Sequence, residues 1–167
     1  MHSDASDVGE ERYEDAARRV LRTAGWVPGR ASGTAPAAGL VAEYGPAPRA
    51  ALAFLDEFGG LRLVFTDPRD SASESDVEII TPEITGWVTT WSRAAGEPVY
   101  PVGVFGGRNC VLLVGESGAL YGAFDAVLGR LGADALEGLG RLVLDTSPLE
   151  PRLPVPPEAV YRHEFLE

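Results

Sequence analysis

Apolar side chains recur at intervals of three and four in several stretches of the chain and form short runs elsewhere. Tyr13, Ala17, Val20 and Leu21 share one helical face between Glu10 and Thr23, and Gly25 stands where a left-handed residue closes a helix. Asp7 and Glu10 have the Asp-x-x-Glu spacing of a capping box ahead of that helix. Pro48 suits the first position of a second helix, whose stripe is Ala51, Leu52, Leu55 and Phe58. Thr81-Pro82 opens a third, with Ile84, Trp87, Val88 and Trp91 on one side and Gly96 as its stop. Leu136, Leu139 and Val143 mark a last helix over Ala133 to Leu144.

The runs read as strands. "LVAEY" (Leu40 to Tyr44) suggests a short one, "LRLVF" (Leu61 to Phe65) a second, and the polar loop "TDPRDSASESD" then leads to "VEIIT". Val99 to Phe105, Cys110 to Val114 and Ala119 to Phe124 follow, the last two joined by the hairpin turn "GESG" around Gly118. Residues 1–9 read as a mobile acidic N-terminus, 10–146 as one domain and 147–167 as a proline-rich, extended arm. Helices and strands come in blocks without strict alternation, which favours α+β over a parallel α/β fold.

The stretch "AFLDEFGGL" tests whether paired glycines bind a ligand or shape the chain. A dinucleotide fingerprint needs glycines between a strand and the start of a helix, whereas these follow a helix and precede a strand. The expected roles are therefore structural. Phe58 packs inward, Gly59 reverses the backbone at positive φ, and Gly60 lets the chain enter the strand.

Composition narrows the function. The chain has 167 residues, enough for one domain, with 45% hydrophobic and 23% charged residues. Acidic residues outnumber basic ones by 25 to 14, for a net charge of −11. Nucleic-acid binding needs a cationic surplus that is missing, and an anionic membrane would repel this chain; a basic protein would attract it. Every basic residue is arginine, so lysine chemistry is absent. The acidic N-terminus lacks the apolar core of a secretory signal, no long apolar run spans a membrane, and the single cysteine suits a reducing compartment. The expected location is the cytoplasm.

Candidate chemistry thins out on inspection. Two histidines, His2 and His163, lie near the ends and Cys110 sits in an apolar run, so no zinc set forms at normal spacing. "DPRDSASESD" lacks the glycine and closing glutamate of a calcium loop. "GESGA" around Ser117 has Ala119 where a nucleophile elbow needs glycine. The glycines of "VFGGRNC" beside Arg108 read as a bulge between strands before they read as an anion nest. Asp56 and Glu57 are adjacent on a helix and do not face each other. No catalytic constellation, cofactor site or metal site emerges.

The order of signatures is more informative. "GW-x-PGR" after the first helix, "FLDEFGGL" ending the second, "YPVG" entering a strand and "GALYG" after a hairpin resemble the third family of the SUKH superfamily. The positions carrying the resemblance are Gly25, Trp26, Gly29, Phe54, Leu55, Phe58, Gly59, Gly60, Pro101, Gly103 and Gly118. The resemblance implies an α+β fold with a single curved, mainly antiparallel sheet and helices packed around it. It also implies a bacterial immunity protein that binds and neutralises a polymorphic toxin domain, often a nuclease or nucleic-acid deaminase, rather than an enzyme. Eukaryotic members of the superfamily are adaptors.

A basic toxin fits the charge. The densest acidic segment is Asp67, Asp70, Glu74, Asp76, Glu78 and Glu83, opposed only by Arg69 and expected as a loop that a basic partner would relieve. The first helix carries acids too, offset by its arginines. Arg30 reads as an anchor for backbone carbonyls or a carboxylate, with a partner contact as its other use. Trp26, Trp87 and Trp91 read as core. Two further readings stand beside the antitoxin. A protein-binding adaptor would have no toxin to restrain, and a small hydrolase would need a pocket that joins residues remote in sequence.

Overall fold

The computed structural model describes residues 4–82 and 86–155. Along these residues run α1 (Asp4–Thr23), α2 (Ala38–Tyr44), α3 (Arg49–Phe58), β1 (Arg62–Asp67), β2 (Asp70–Glu78) and α4 (Val88–Ala95). They are followed by β3 (Val99–Phe105), β4 (Cys110–Gly115), β5 (Leu120–Phe124), β6 (Val127–Gly132), α5 (Ala135–Leu144) and β7 (Arg152–Leu153).

The strands form one seven-stranded sheet in chain order, each antiparallel to the next. Period-two alternation sends Tyr100, Val102, Leu112, Val114 and Leu120 into a core with α1, α3 and α5. Val99, Leu113, Tyr121 and Leu128 face the other way, toward α4. Every residue of β3 is buried, as expected of a central strand covered on both faces. The α+β fold with one antiparallel sheet, open rather than closed into a barrel, is as the sequence implied.

Several expected elements move. The first helix starts at Asp4, so Asp7 and Glu10 lie within it and cannot form its capping box. "LVAEY" is helical: Leu40 is buried, Tyr44 half-buried and Ala42 exposed, a period of four rather than two. Pro48 is the residue before α3 rather than its first. The third helix starts at Val88 after Trp87, not at Thr81-Pro82, and Ile84 falls outside the described residues. Its stop is as expected, with Gly96 at φ 73°. The last helix starts at Ala135, where the Asp134 carboxylate accepts from Glu137 N at 2.9 Å and Glu137 Oε2 accepts from Ala133 N at 2.7 Å.

The glycine pair after α3 divides its labour differently from the expectation. Gly59 has φ −55°, an ordinary value, and it is Gly60 that takes the left-handed φ of 82°. Gly59 is required by space instead, since a Cβ there would overlap Leu55 O and the Thr34 side chain. A similar closeness brings α1 and α5 together, where Gly140 lies against Tyr13 O.

β6 and β7 were not expected. "VLGRLG" carries no element in the sequence reading, but Gly129 lets the chain at Leu149 lie directly on the strand: a Cβ there would come within 2.6 Å of Leu149 Cα. Its neighbour across the ladder, Gly122, faces Leu149 and the Phe105 ring in the same way. The paired glycines make a shallow channel, and the segment after α5 crosses it before Arg152 and Leu153 pair with Gly129 and Leu128.

Candidate protein-interaction surface

Two regions hold the residues singled out in the sequence. The first is the C-terminal end of α3, whose last carbonyls need partners outside the helix. The segment after α1 supplies them. Ser32 Oγ donates to Leu55 O at 2.7 Å and Ser32 N to Asp56 O at 2.8 Å. Arg30 Nη1 donates to Gly59 O at 2.8 Å and to Glu57 O at 3.3 Å. Trp26 Nε1 and Gly29 N both donate to Glu57 Oε1, at 2.9 and 3.3 Å. Gly25 and Gly29, at φ 101° and 76°, give the turn its shape, while Trp26 packs on Phe58 with ring centroids 6.0 Å apart. "GWVPGR" and "FLDEFGG" are thus two halves of one clamp, and the Arg30 guanidinium serves backbone carbonyls within it.

The second region is the acidic segment. It is not a loop: Asp70 to Glu78 form β2, paired with β1 from Arg62↔Glu78 to Asp67↔Asp70. Only Val77 and Glu78 continue the ladder into β3, so the rest of β2 and its partner make a two-stranded arm beyond the main sheet. Gly103, whose added Cβ would come within 2.5 Å of Glu78 O, permits this approach of β2, and Pro101 sits at an adjoining irregularity in the β3–β4 register.

Alternation places Glu74, Asp76 and Glu78 on one face of the arm with Arg62 and exposed Val64. Arg62 lies 3.2 Å from Asp76 and 3.7 Å from Glu78. Arg108 Nε lies 2.8 Å from Glu78 Oε2, a charge contact off the hydrogen-bond line. The β3–β4 turn runs through φ 60°, 65° and 68° at Gly106, Gly107 and Arg108. Gly107 N donates to Asp76 Oδ1 at 3.1 Å, so a carboxylate of this chain occupies the turn's concave side. The Glu74 carboxylate makes no hydrogen bond or ion pair among the described residues.

At the tip, hydrogen bonds from the Arg69 side chain and backbone hold the Asp67 carboxyl below its usual range. Ser73 and Ala72 N do the same for Asp70. Glu83 lies outside the described residues. The structure therefore gathers Asp67, Asp70, Glu74, Asp76 and Glu78 on one arm and leaves Arg30 in the clamp.

Beside the arm lies a groove of about 460 Å³ between β1–β2, the β3–β4 turn and the segment that follows α5. Phe65, Phe105, Phe124 and Leu149 supply its apolar lining. Asp67, Asp145 and Glu150 stand at its rim and each is paired: Asp67 with Arg69, Glu150 with Arg152, and Asp145 with Tyr13 OH, which donates to it at 2.8 Å, and with Arg141 Nε at 3.7 Å. Phe124 is 48% exposed, the one aromatic among the exposed large hydrophobics of the described residues. Sequence reading missed this groove because its lining comes from segments more than eighty positions apart; an apolar Phe124 ending a strand before Asp125 was the one local signal.

The remaining candidates are structural where the structure describes them. Ser117 Oγ and N both donate to Glu97, at 2.8 Å each, and Tyr121 OH donates to it at 2.7 Å. Burial and that bond to Glu97 push the Tyr121 hydroxyl up to about 12. Cys110 is half-buried and burial raises its thiol pKa, the opposite of an activated nucleophile. No group of three or more His, Cys, Asp or Glu suited to a metal ion occurs among the described residues, and His2 and His163 fall outside them. No helix among the described residues is long and apolar enough to cross a membrane. Trp26 and Trp91 are buried; Trp87 is half-buried and stacks on Trp91 at 6.1 Å.

A protein-family comparison matches residues 13–145 to the model described as SUKH-3 immunity protein. No curated protein and no solved structure matched the chain.

Proposed function

The chain belongs to the SUKH-3 immunity protein family, and we propose that it neutralises a cognate toxin by binding a basic toxin domain through the acidic β1–β2 arm. The toxin is a nuclease or nucleic-acid deaminase of a polymorphic toxin system, met in the bacterial cytoplasm, and the action is occlusion rather than catalysis. The observation that carries this reading is the arm itself: five acids on a hairpin that leaves the main sheet, in a chain of net charge −11. A toxin that acts on nucleic acid commonly needs a positive substrate groove. An acidic arm complements such a groove and steers the encounter electrostatically.

Co-expression with the C-terminal domain of any toxin-like protein found encoded beside this gene tests the proposal. The expected result is restored growth and a complex that co-purifies, with association slowing as salt rises. If that domain kills alone, both proteins are soluble and neither rescue nor complex appears, the pairing is broken and the adaptor reading moves ahead.

A further inference from the structure

We propose that the free outer edge of β1 pairs with the same edge of a second copy, joining two sheets across a two-fold axis at Val64. The inference concerns this chain alone and stands apart from the toxin-binding reading. β1 begins the sheet and has a strand neighbour on one side only, β2. Such an edge presents unpaired backbone groups, a template for another strand.

Hydrogen bonds beside the ladder identify the free groups. Asp76 O accepts from Gly106 N at 3.2 Å, so the Asp76 backbone faces β3 and its pairing with Val64 is of the non-hydrogen-bonded kind. Leu61 O accepts from Ile79 N at 2.9 Å, which sets the same phase from the other end. The N–H and C=O of Arg62, Val64 and Thr66 therefore point away from β2, and no group among the described residues bonds to them. All three residues are exposed. α1 does not cover this edge, because a cleft of about 480 Å³ opens between it and Arg19, Val20 and Thr23.

Self-complementarity chooses the occupant. An antiparallel pairing with Val64 opposite itself engages all three outward residues of both copies and covers each exposed valine with its twin. It sets Arg62 opposite Thr66 of the second copy. One face then carries the row Glu78, Arg62, Thr66, Glu74, the last two from the second copy. The Cα atoms of Arg62 and that Glu74 lie two strand spacings apart, about 10 Å. Two long side chains close this span over the short threonine, so Glu74 gains the cation it lacks within its own chain, twice by symmetry. Arg62 is free to turn there, since Asp76 keeps Gly107 N at 3.1 Å and Glu78 keeps Arg108 at 2.8 Å. Other registers lose outward pairs, and one centred on Arg62 sets two guanidiniums opposite each other. One strand and its flanks make a small interface of the weak class, paired at roughly tens of micromolar. At nanomolar concentration the chain is a monomer with the Glu74 carboxylate unpaired.

Sedimentation equilibrium of the full chain, from about one to several hundred micromolar, tests the pairing. At about 0.15 M salt, repulsion between two chains of net charge −11 is screened beyond about 8 Å. The expected result is a monomer–dimer equilibrium. Thr66→Lys, opposite Arg62 of the second copy, is expected to raise the dimer Kd about fivefold, and Thr66→Glu to lower it about threefold. General repulsion between acidic chains predicts the reverse order, so the sign tests the register. Position 66 is exposed, and Tm checks that both variants keep the fold. Val64→Cys is expected to form a disulfide with its own twin under mild oxidation, since Cα atoms paired at such a site lie about 5.5 Å apart. Thr66→Cys, out of step with its twin, and the unaltered chain with half-buried Cys110 are not. A monomer at every concentration would overturn the proposal. So would a Kd unchanged or shifted in the reverse order by the two charge variants, or Thr66→Cys linking as readily as Val64→Cys.

Discussion

The clamp at the end of α3 and the arm of β1–β2 use the same residue types for opposite ends. Arg30 spends its donors on the carbonyls of Glu57 and Gly59, and Glu57 accepts from Trp26 and Gly29. In the arm, Arg62 and Arg108 meet side-chain carboxylates and are themselves 61% and 69% exposed. The difference is one of replaceability. Water can take the place of an exposed ion-pair partner at little cost, but it cannot easily reach the last carbonyls of a packed helix. Charge in the clamp holds the fold, and charge in the arm stays available to a partner.

The largest expected effect lies in the clamp. Gly59→Val drives a side chain into Leu55 O and Thr34, and backbone yields less readily than a flexible side chain. The expected loss is about 3 kcal/mol, or a fall in Tm of about 6–12 °C, with the family's binding function intact in whatever folds. Thermal unfolding monitored by circular dichroism checks it. A tolerant Gly59 would mean that the clamp is loose, and the contrast with the arm would weaken.

Arg30→Met comes next, at about 2 kcal/mol, because it strips donors from two carbonyls at a part-buried helix end. Arg62→Met in the arm is the paired control and should shift stability by less than about 0.5 kcal/mol. Equal losses in urea unfolding would erase the distinction between the two regions.

How far these regions could be read in advance follows from the same physics. The clamp was legible because its parts are local and chemically marked: a left-handed glycine after a helix, a tryptophan, an arginine, a helix end on two glycines. Even so, the reason for Gly59 was misread, since φ and crowding leave the same letter in a sequence. The arm was misread as a loop because "DSASESD" contains no β-branched or aromatic residue. Pairing with β1, not propensity, makes it a strand. "VLGRLG" was passed over for a related reason, Gly129 serving an approach by Leu149 from outside the local window. The groove was illegible altogether, being assembled from strand ends, a turn and the segment after α5.

A third carboxylate sharpens the comparison by titration. Burial pushes the Glu97 carboxyl up, but hydrogen bonds from Tyr121 and from Ser117 N and Oγ outweigh it and leave the pKa below the ordinary 4.5. A depressed folded-state pKa stabilises above the unfolded value and loses that contribution as pH falls through the folded one. Glu97→Gln should therefore cost about 1–2 kcal/mol at pH 7. The gap between the two proteins should narrow as pH falls below 4.5, with the wild type giving up its advantage. Tm measured across that range reads the sign directly, and a gap that widens in acid would show that Glu97 does not hold the β4–β5 turn as a carboxylate.

The smallest expected effect on stability is the most telling for the arm. The Glu74 carboxylate has no hydrogen-bond or ion-pair partner among the described residues and sits on the same face as two acids that do. Removing its charge relieves repulsion toward Asp76, so Glu74→Gln should leave Tm unchanged or slightly raised, within about 0.5 kcal/mol. Its use is in the encounter. Association with the basic toxin domain proposed above should slow about twofold at low salt, with dissociation nearly unaffected, because a free surface charge adds to the steering field without making a packed contact. Surface plasmon resonance at two ionic strengths separates the rates. A change confined to dissociation would place Glu74 inside the bound interface, and a loss of stability would make it another clamp residue.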